Sequence, residues 1–200
     1  GLESHAGVAP EEGISAIRIA AEAIHNMKLG RIDSETTANI GVIEGGKATN
    51  ITTNFVLLRG EARSLDDKKL EAQTAHMIKC CEDAAAKWEV TVAGVTTKGR
   101  VESHVTREYS AMDVPDSSRV VQLVYKAAAR LGQKVETLAS GGGCDANIFN
   151  KRGIECANFG TGMRAIHTVK EWLDVKDLYA SAEMTLEVLK VNGELAQQKG

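Results

Sequence analysis

Two kinds of periodicity alternate through the first hundred residues, and this alternation limits the fold more than any other feature of the chain. Glu3 to Gly7 reads as a short strand end or loop, and Pro10, Glu11 and Glu12 supply the proline and acidic first turn of a helix start. Ile14, Ile17, Ala21, Ile24 and Met27 then recur at helical spacing up to Gly30. Thr37 to Glu44 and Asn50 to Ala62 read as an antiparallel strand pair, with Gly45 and Gly46 as the turn. Ser64 with Asp67 predicts a capped helix whose apolar stripe is Leu70, Met77, Cys81 and Trp88, and Val90 to Thr97 reads as the closing strand. The order strand, helix, strand, strand, helix, strand predicts a two-layer α+β unit of the ferredoxin-like βαββαβ type.

The pattern changes after Gly99. Residues 100–113 are polar and irregular, which places a domain boundary between about 99 and 113. Pro115, with Asp116 or Ser117 as cap, opens a helix carrying Val120, Val124, Ala127 and Leu131 and closed by Gly132. A strand-like run from Val135 to Ala139 leads into Ser140-Gly141-Gly142-Gly143, then a short helix from Asp145 to Asn150 and a second strand-like run from Ile154 to Phe159. A last helix begins after Asp174, with Val175, Leu178, Ala182, Leu186 and Leu189 aligned, and the tail from Gly193 is expected to fray. Helices alternating with short apolar runs predict a layered α/β sheet with partly parallel strands.

The chemistry concentrates between Ser140 and Glu171. Three glycines between a strand and a helix leave backbone N–H groups bare for an anion or a developing oxyanion, and Asp145 is placed to cap the helix that follows. Neither GxGxxG nor a GK[ST] ending accompanies the loop, so phosphate binding is not favoured. Cys144 lies beside it, but no local histidine is present to activate a thiolate nucleophile. His167 follows some twenty residues later, flanked by Thr168 and Glu171.

Composition excludes several partner classes. With 24 basic and 27 acidic residues the net charge is −3, which provides no field for nucleic acid. No apolar run approaches the roughly 18 residues of a membrane span, and no basic-then-apolar leader opens the chain. Cys80, Cys81, Cys144 and Cys156 have no CxxC metal spacing, and the adjacent pair suits a disulfide poorly, so reduced thiols in a cytoplasm are expected. A first residue of Gly1 fits either processing or a longer parent protein.

Several motifs together resemble the co-catalytic di-zinc exopeptidase and deacylase family. They are Ser4-His5-Ala6-Gly7 with Pro10-Glu11 and Gly13; Asn39-Ile40-Gly41; Gly45-Gly46 with Asn50; Gly60-Glu61-Ala62-Arg63-Ser64; the glycine loop with Asp145; and His167-Thr168 with Glu171. The wording is most similar to the peptidase T-like tripeptide aminopeptidases. The resemblance implies a ferredoxin-like lid domain over residues 1–108, followed over 109–200 by the C-terminal portion of an α/β zinc-exopeptidase catalytic domain. It also implies pairing of two copies through the lid, short peptides as substrate, and two zinc ions in the intact enzyme.

The same resemblance assigns roles to individual residues. His167 would be the one metal ligand this chain supplies, the alternative being an ordinary loop histidine. His5 would polarise the scissile carbonyl, in trans if two copies pair. Asn50 and Arg63 would hold the substrate's carboxylate or carbonyl, as the planar guanidinium fork and the amide donor suit such a group. Their separation of thirteen positions would put them on opposite faces of one regular strand, so a bulge or turn must intervene or they serve different sites; the bland alternative for Arg63 is a surface ion pair with Glu61 or Asp67. Gly142 and Gly143 would offer backbone amides to the substrate. The family's His-x-Asp motif, bridging aspartate and Glu-Glu general-base pair precede its lid; no His-x-Asp occurs in these 200 residues, and the only adjacent glutamate pair, Glu11-Glu12, opens a helix, so this chain alone is expected to be inactive. A deacylase of N-acyl amino acids, or a non-catalytic dimerisation module, are the competing readings.

Overall fold

Ser15 decides where the first helix starts. Its hydroxyl accepts the Arg18 amide at 3.3 Å, and helix α1 runs Ala16–Asn26 behind that cap, separated by Gly13 from a single 3-10 turn at Pro10–Glu12. The proline turn therefore precedes the helix rather than opening it. Ile14, Ile19, Ala23 and Met27 are buried, whereas Ile17 of the expected stripe faces out. This is the computed structural model of the chain, which describes residues 1–197 and divides into two units, Gly1–Ala111 and from Met112 onward.

The first unit is the α+β arrangement expected. Strands β1 (Gly30–Arg31), β2 (Thr37–Gly45) and β3 (Val56–Arg63) form one antiparallel sheet in that order. A bulge between Ile40 and Val42 interrupts the β2–β3 ladder. Helix α2 (Asp67–Ala85) is capped by Asp66, whose Oδ1 accepts the Lys68 and Lys69 amides at 2.7 and 3.2 Å. Ser64 instead accepts the Asp66 amide and pairs with the Thr36 hydroxyl. The core joins the two helices: Ile14, Ile19, Ala23 and Met27 against Cys80, Ala84 and Ala85, with Ile40, Met77 and Trp88 packed around them.

The C-terminal end of α1 is tied to α2 by a backbone clamp. His76 Nε2 accepts the Lys28 amide at 3.0 Å, and Gln73 Nε2 donates to the Lys28 carbonyl at 2.7 Å. Both orphaned backbone groups of that residue are thus satisfied by side chains one helical turn apart. The expected closing strand is a tight hairpin, β4 (Glu89–Val92) with β5 (Val95–Lys98). Ala93 and Gly94 both take positive φ at its tip, 48° and 81°, as a two-residue turn of the primed type requires.

In the second unit, α3 (Arg119–Arg130), the short α4 (Asp145–Lys151) and α5 (Val175–Gln197) are the regular elements among the described residues. Leu123, Ala127 and Ala128 of α3 meet Met184 and Val191 of α5, flanked by Val188 and Leu195. The buried stripe of α5 is therefore not the expected one: Leu178, Leu186 and Leu189 are exposed. Arg130 braces the pair, donating to Glu187 at 3.2 Å and to Glu194 at 2.6 Å. Residues 135–139 and 154–159 run without strand pairing, and Leu138 and Ile154 are exposed. An apolar extended run becomes a strand only when a neighbour offers a ladder, and no described segment does. Residues 193–197 are helical rather than frayed; the rest of that tail, 198–200, lies outside the described residues.

Candidate active site

The N-terminal segment is stitched to the loop before β3. Ala6 donates its amide to the Asn50 carbonyl at 3.0 Å, Thr52 donates to the Ser4 carbonyl at 2.9 Å, and His5 bridges Ile51. This brings two of the candidate residues, His5 and Asn50, to one exposed edge of the first unit. Gly13 is required beneath it, because a Cβ there would lie 2.3 Å from Ser4 Oγ and 2.8 Å from the Thr52 methyl. His5 Nδ1 accepts the Gly7 amide at 3.2 Å. A neutral imidazole accepting through Nδ1 carries its proton on Nε2, so the outward nitrogen is a donor.

Arg63 ends β3, whereas Asn50 lies six residues before that strand begins at Val56. The opposite-face difficulty posed by their separation therefore does not arise, since the two never share a strand. The Arg63 guanidinium donates from Nε and Nη2 to Glu61 Oε2 at 3.0 and 2.7 Å. That hydrogen bond raises the Arg63 pKa further above its usual value. The ion pair is exposed, so solvent can exchange one carboxylate for another on the same fork.

In the second unit, Gly142 donates its amide to Ser140 Oγ at 3.3 Å. None of Gly141, Gly142 and Gly143 has a positive φ, and a Cβ at Gly141 would meet nothing within 4 Å. At Gly141 and Gly142 neither a positive φ nor close packing calls for glycine. Asp145 does not cap α4; it is the first helical residue, and Cys144 occupies the cap. Asn147 Oδ1 reaches back to accept the Cys144 amide at 3.0 Å.

His167 stands on a closed loop. Arg164 and Trp172 bridge antiparallel, with backbone hydrogen bonds of 2.9 and 3.1 Å. Between them Ala165 and His167 take left-handed φ values of 53° and 63°. The Glu171 carboxylate accepts the His167 amide at 2.8 Å, and Thr168 donates its hydroxyl to the Ala165 carbonyl at 2.7 Å while accepting the Lys170 amide. The Arg164 guanidinium lies 4.6 Å from the Trp172 ring centroid and donates to Asp177 of α5 at 3.2 Å. Gly162, at φ 89°, lets the preceding backbone pass Asp177, where a Cβ would lie 2.6 Å from the aspartate's own. His167 itself is exposed. Arg164, Trp172 and Asp177 were not among the sequence-derived candidates; a cation and an aromatic eight residues apart around a histidine was the available signal.

Among the described residues no three histidine, cysteine or acidic side chains converge to cage a metal. An exposed imidazole on a braced loop fits the part of one zinc ligand among several, and nothing more. The four thiols are unpaired, and burial pushes those of Cys80 and Cys81 up, away from thiolate chemistry. No helix among the described residues is long and apolar enough to cross a membrane.

Comparison with known proteins places this architecture in a class. Residues 1–89 match the M20 peptidase dimerisation domain, and the solved structures that the chain resembles include peptidase T-type enzymes. It is similar to a crystal structure of aminopeptidase PepT from Bacillus cereus, with 41% identity and a TM-score of 0.75 over 95% of this chain and 48% of that one. A tripeptidase from Staphylococcus aureus matches at 37% identity and a TM-score of 0.77, again over 95% of this chain and 48% of that one. An uncharacterized Bacillus subtilis protein, YqjE, is 43% identical over 190 residues, 95% of this chain and 49% of its own. The chain thus spans about half the length of the relatives it matches.

Proposed function

We propose that this chain is the substrate-gripping and final-ligand portion of a di-zinc exopeptidase that removes the N-terminal residue of short peptides. Residues 1–108 form the lid through which two copies pair, and residues 109–200 are the C-terminal part of the catalytic domain. The observation that carries the reading is His167, an exposed imidazole on a loop whose backbone is closed by its own hydrogen bonds. The likeness to an aminopeptidase and a tripeptidase supports peptides as substrate.

Bound zinc would polarise the scissile carbonyl and supply hydroxide near neutral pH. The chain's own residues do the rest of the work assigned to them. His167 holds one metal; His5, with Nε2–H free, donates to the carbonyl oxygen as charge develops, in trans from the paired copy. Gly142 and Gly143 present amides to a substrate backbone, and Asn50 and Arg63 take its carboxylate or carbonyl. Reduced, unpaired thiols support a cytoplasmic location. With one histidine as its contribution, this chain alone binds zinc weakly and is inactive.

Zinc titration and a peptide assay test the reading. His167→Ala should abolish the weak zinc binding of this chain, and addition of the upstream catalytic half should restore tripeptide hydrolysis. Hydrolysis of N-acyl amino acids alone would make the protein a deacylase. Pairing without hydrolysis of either substrate would reduce it to a dimerisation module.

A further inference from the structure

The His167 loop uses two backbone conformations that L-residues avoid. Left-handed φ at a non-glycine residue persists only where surrounding contacts over-determine it, and such positions gather at functional sites. Ala165 and His167 both carry it, with φ values of 53° and 63°. Resting on the metal-ligand reading of His167, we infer that Glu171, Arg164 and Trp172 are positioning residues for that imidazole.

Glu171 is the central element. Its carboxylate takes the amide of His167 itself, four residues back, so the backbone of the ligand residue is fixed by a charge-assisted hydrogen bond at 2.8 Å. The Thr168 hydroxyl closes the opposite side through Ala165 and Lys170. The ends of the loop are joined by the Arg164–Trp172 bridge and by the guanidinium stacked 4.6 Å from the indole centroid. The same guanidinium anchors the closed loop to α5 through Asp177. The Glu171 carboxylate and the Thr168 hydroxyl are spent within the loop, while the imidazole has no hydrogen-bond partner among the described residues. Rotating His167 to an ordinary right-handed φ would break the Glu171 bond and swing Cβ away from its present direction.

Glu171 acts through an acceptor oxygen, so the amide of Gln would serve where Ala would not. Zinc affinity of the full-length protein, measured by chelator competition, and the absorption spectrum of its cobalt-substituted form read the ligand geometry without any turnover. Glu171→Ala should weaken zinc by about ten- to a hundredfold and alter the cobalt bands, as loss of outer partners of a metal ligand does. Glu171→Gln should recover to within about threefold of the parent. Parent affinity in Glu171→Ala, or a Gln variant as weak as the Ala variant, overturns the inference. If Glu171→Ala does not fold, Arg164→Met reads the same device from outside the loop, and unchanged affinity and spectrum there overturn it too. His167→Ala keeps the two levels apart: if it retains full zinc affinity, the metal-ligand reading itself falls.

Discussion

Glu155 Oε1 accepts the backbone amide of Arg119 at 2.9 Å, so the first turn of α3 is capped by a carboxylate 36 positions downstream. The local N-cap residue, Ser118, makes no side-chain cap bond, and its hydroxyl is buried without a partner among the described residues. A negative charge at a helix N-terminus also complements the macrodipole. Glu155→Ala is expected to cost about 1 kcal/mol and to speed hydrogen exchange at the first turn of α3. Ser118→Ala is expected to be neutral or slightly stabilising, because it removes a group that is desolvated and unpaired. Urea denaturation of both variants, read against exchange at Arg119, checks the pair.

Gly60 of the family motif is explained by packing rather than by chemistry. A Cβ there would lie 2.7 Å from Ile40 Cδ1, 2.8 Å from the Asn39 carbonyl and 3.1 Å from Met77 Cε. The sheet and α2 meet over this position, and the Asn39 oxygen belongs to backbone that cannot step aside. Gly60→Ala is therefore expected to destabilise the first unit by about 1–3 kcal/mol, seen as a lower urea midpoint.

The acid limit of the first unit has a named contributor. Asp33 accepts the Glu35 and Thr36 amides at 2.9 and 2.8 Å, and these bonds, led by that from Glu35, hold its pKa at about 2, against an ordinary 3.8. A carboxylate depressed on folding stabilises fully above its unfolded pKa, and the contribution is lost as pH falls through the folded value. Stability should thus decline between about pH 4 and 2, and Asp33→Asn should flatten that part of the profile. NMR titration of Asp33 together with acid unfolding of the variant reads both.

Arg63 offers a test of the proposed substrate clamp. Glu61 occupies the fork that a substrate carboxylate would need. In the full-length enzyme, Glu61→Gln should lower KM for tripeptides by a few-fold by weakening the competitor, and Arg63→Ala should raise KM by about tenfold, equivalent to about 1.4 kcal/mol. Both should leave kcat nearly unchanged, as expected of a clamp that grips ground and transition states alike. Opposite shifts in KM from steady-state kinetics are the signature.

Thiol reactivity should follow exposure. Cys144 is exposed while burial raises the pKa of Cys80. Timed alkylation at neutral pH, read by mass spectrometry, should modify Cys144 first and Cys80 last.

The legible and illegible parts of this chain divide along physical lines. The motifs that single out His5 and His167 as candidates are local, each contained within a few consecutive residues. The β2–β3 pair was legible for the same reason, being a neighbouring hairpin of apolar runs. The β4–β5 hairpin was not, because Ala93 sits in a left-handed position that asparagine or aspartate usually advertises. On α5 two apolar stripes coexist, one through Leu178, Leu186 and Leu189 and the other through Met184, Val188 and Val191. Periodicity detects both and cannot say which of them α3 will meet. The runs at 135–139 and 154–159 are strands only in the presence of partners, a property that no single segment carries. The bracing of His167 left only a faint signal, a cation and an aromatic eight residues apart, because the backbone bridge that joins Arg164 and Trp172 has no residue-type signature of its own.

Gly162 passes Asp177 so closely, and with such a backbone twist, that nineteen of the twenty amino acids are shut out twice over, by collision and by torsion. It contributes no functional group to any reaction. In a saturation library selected for growth on peptides it would nevertheless look as intolerant as a catalytic position, and a reader of such data would need the geometry of α5 to know why.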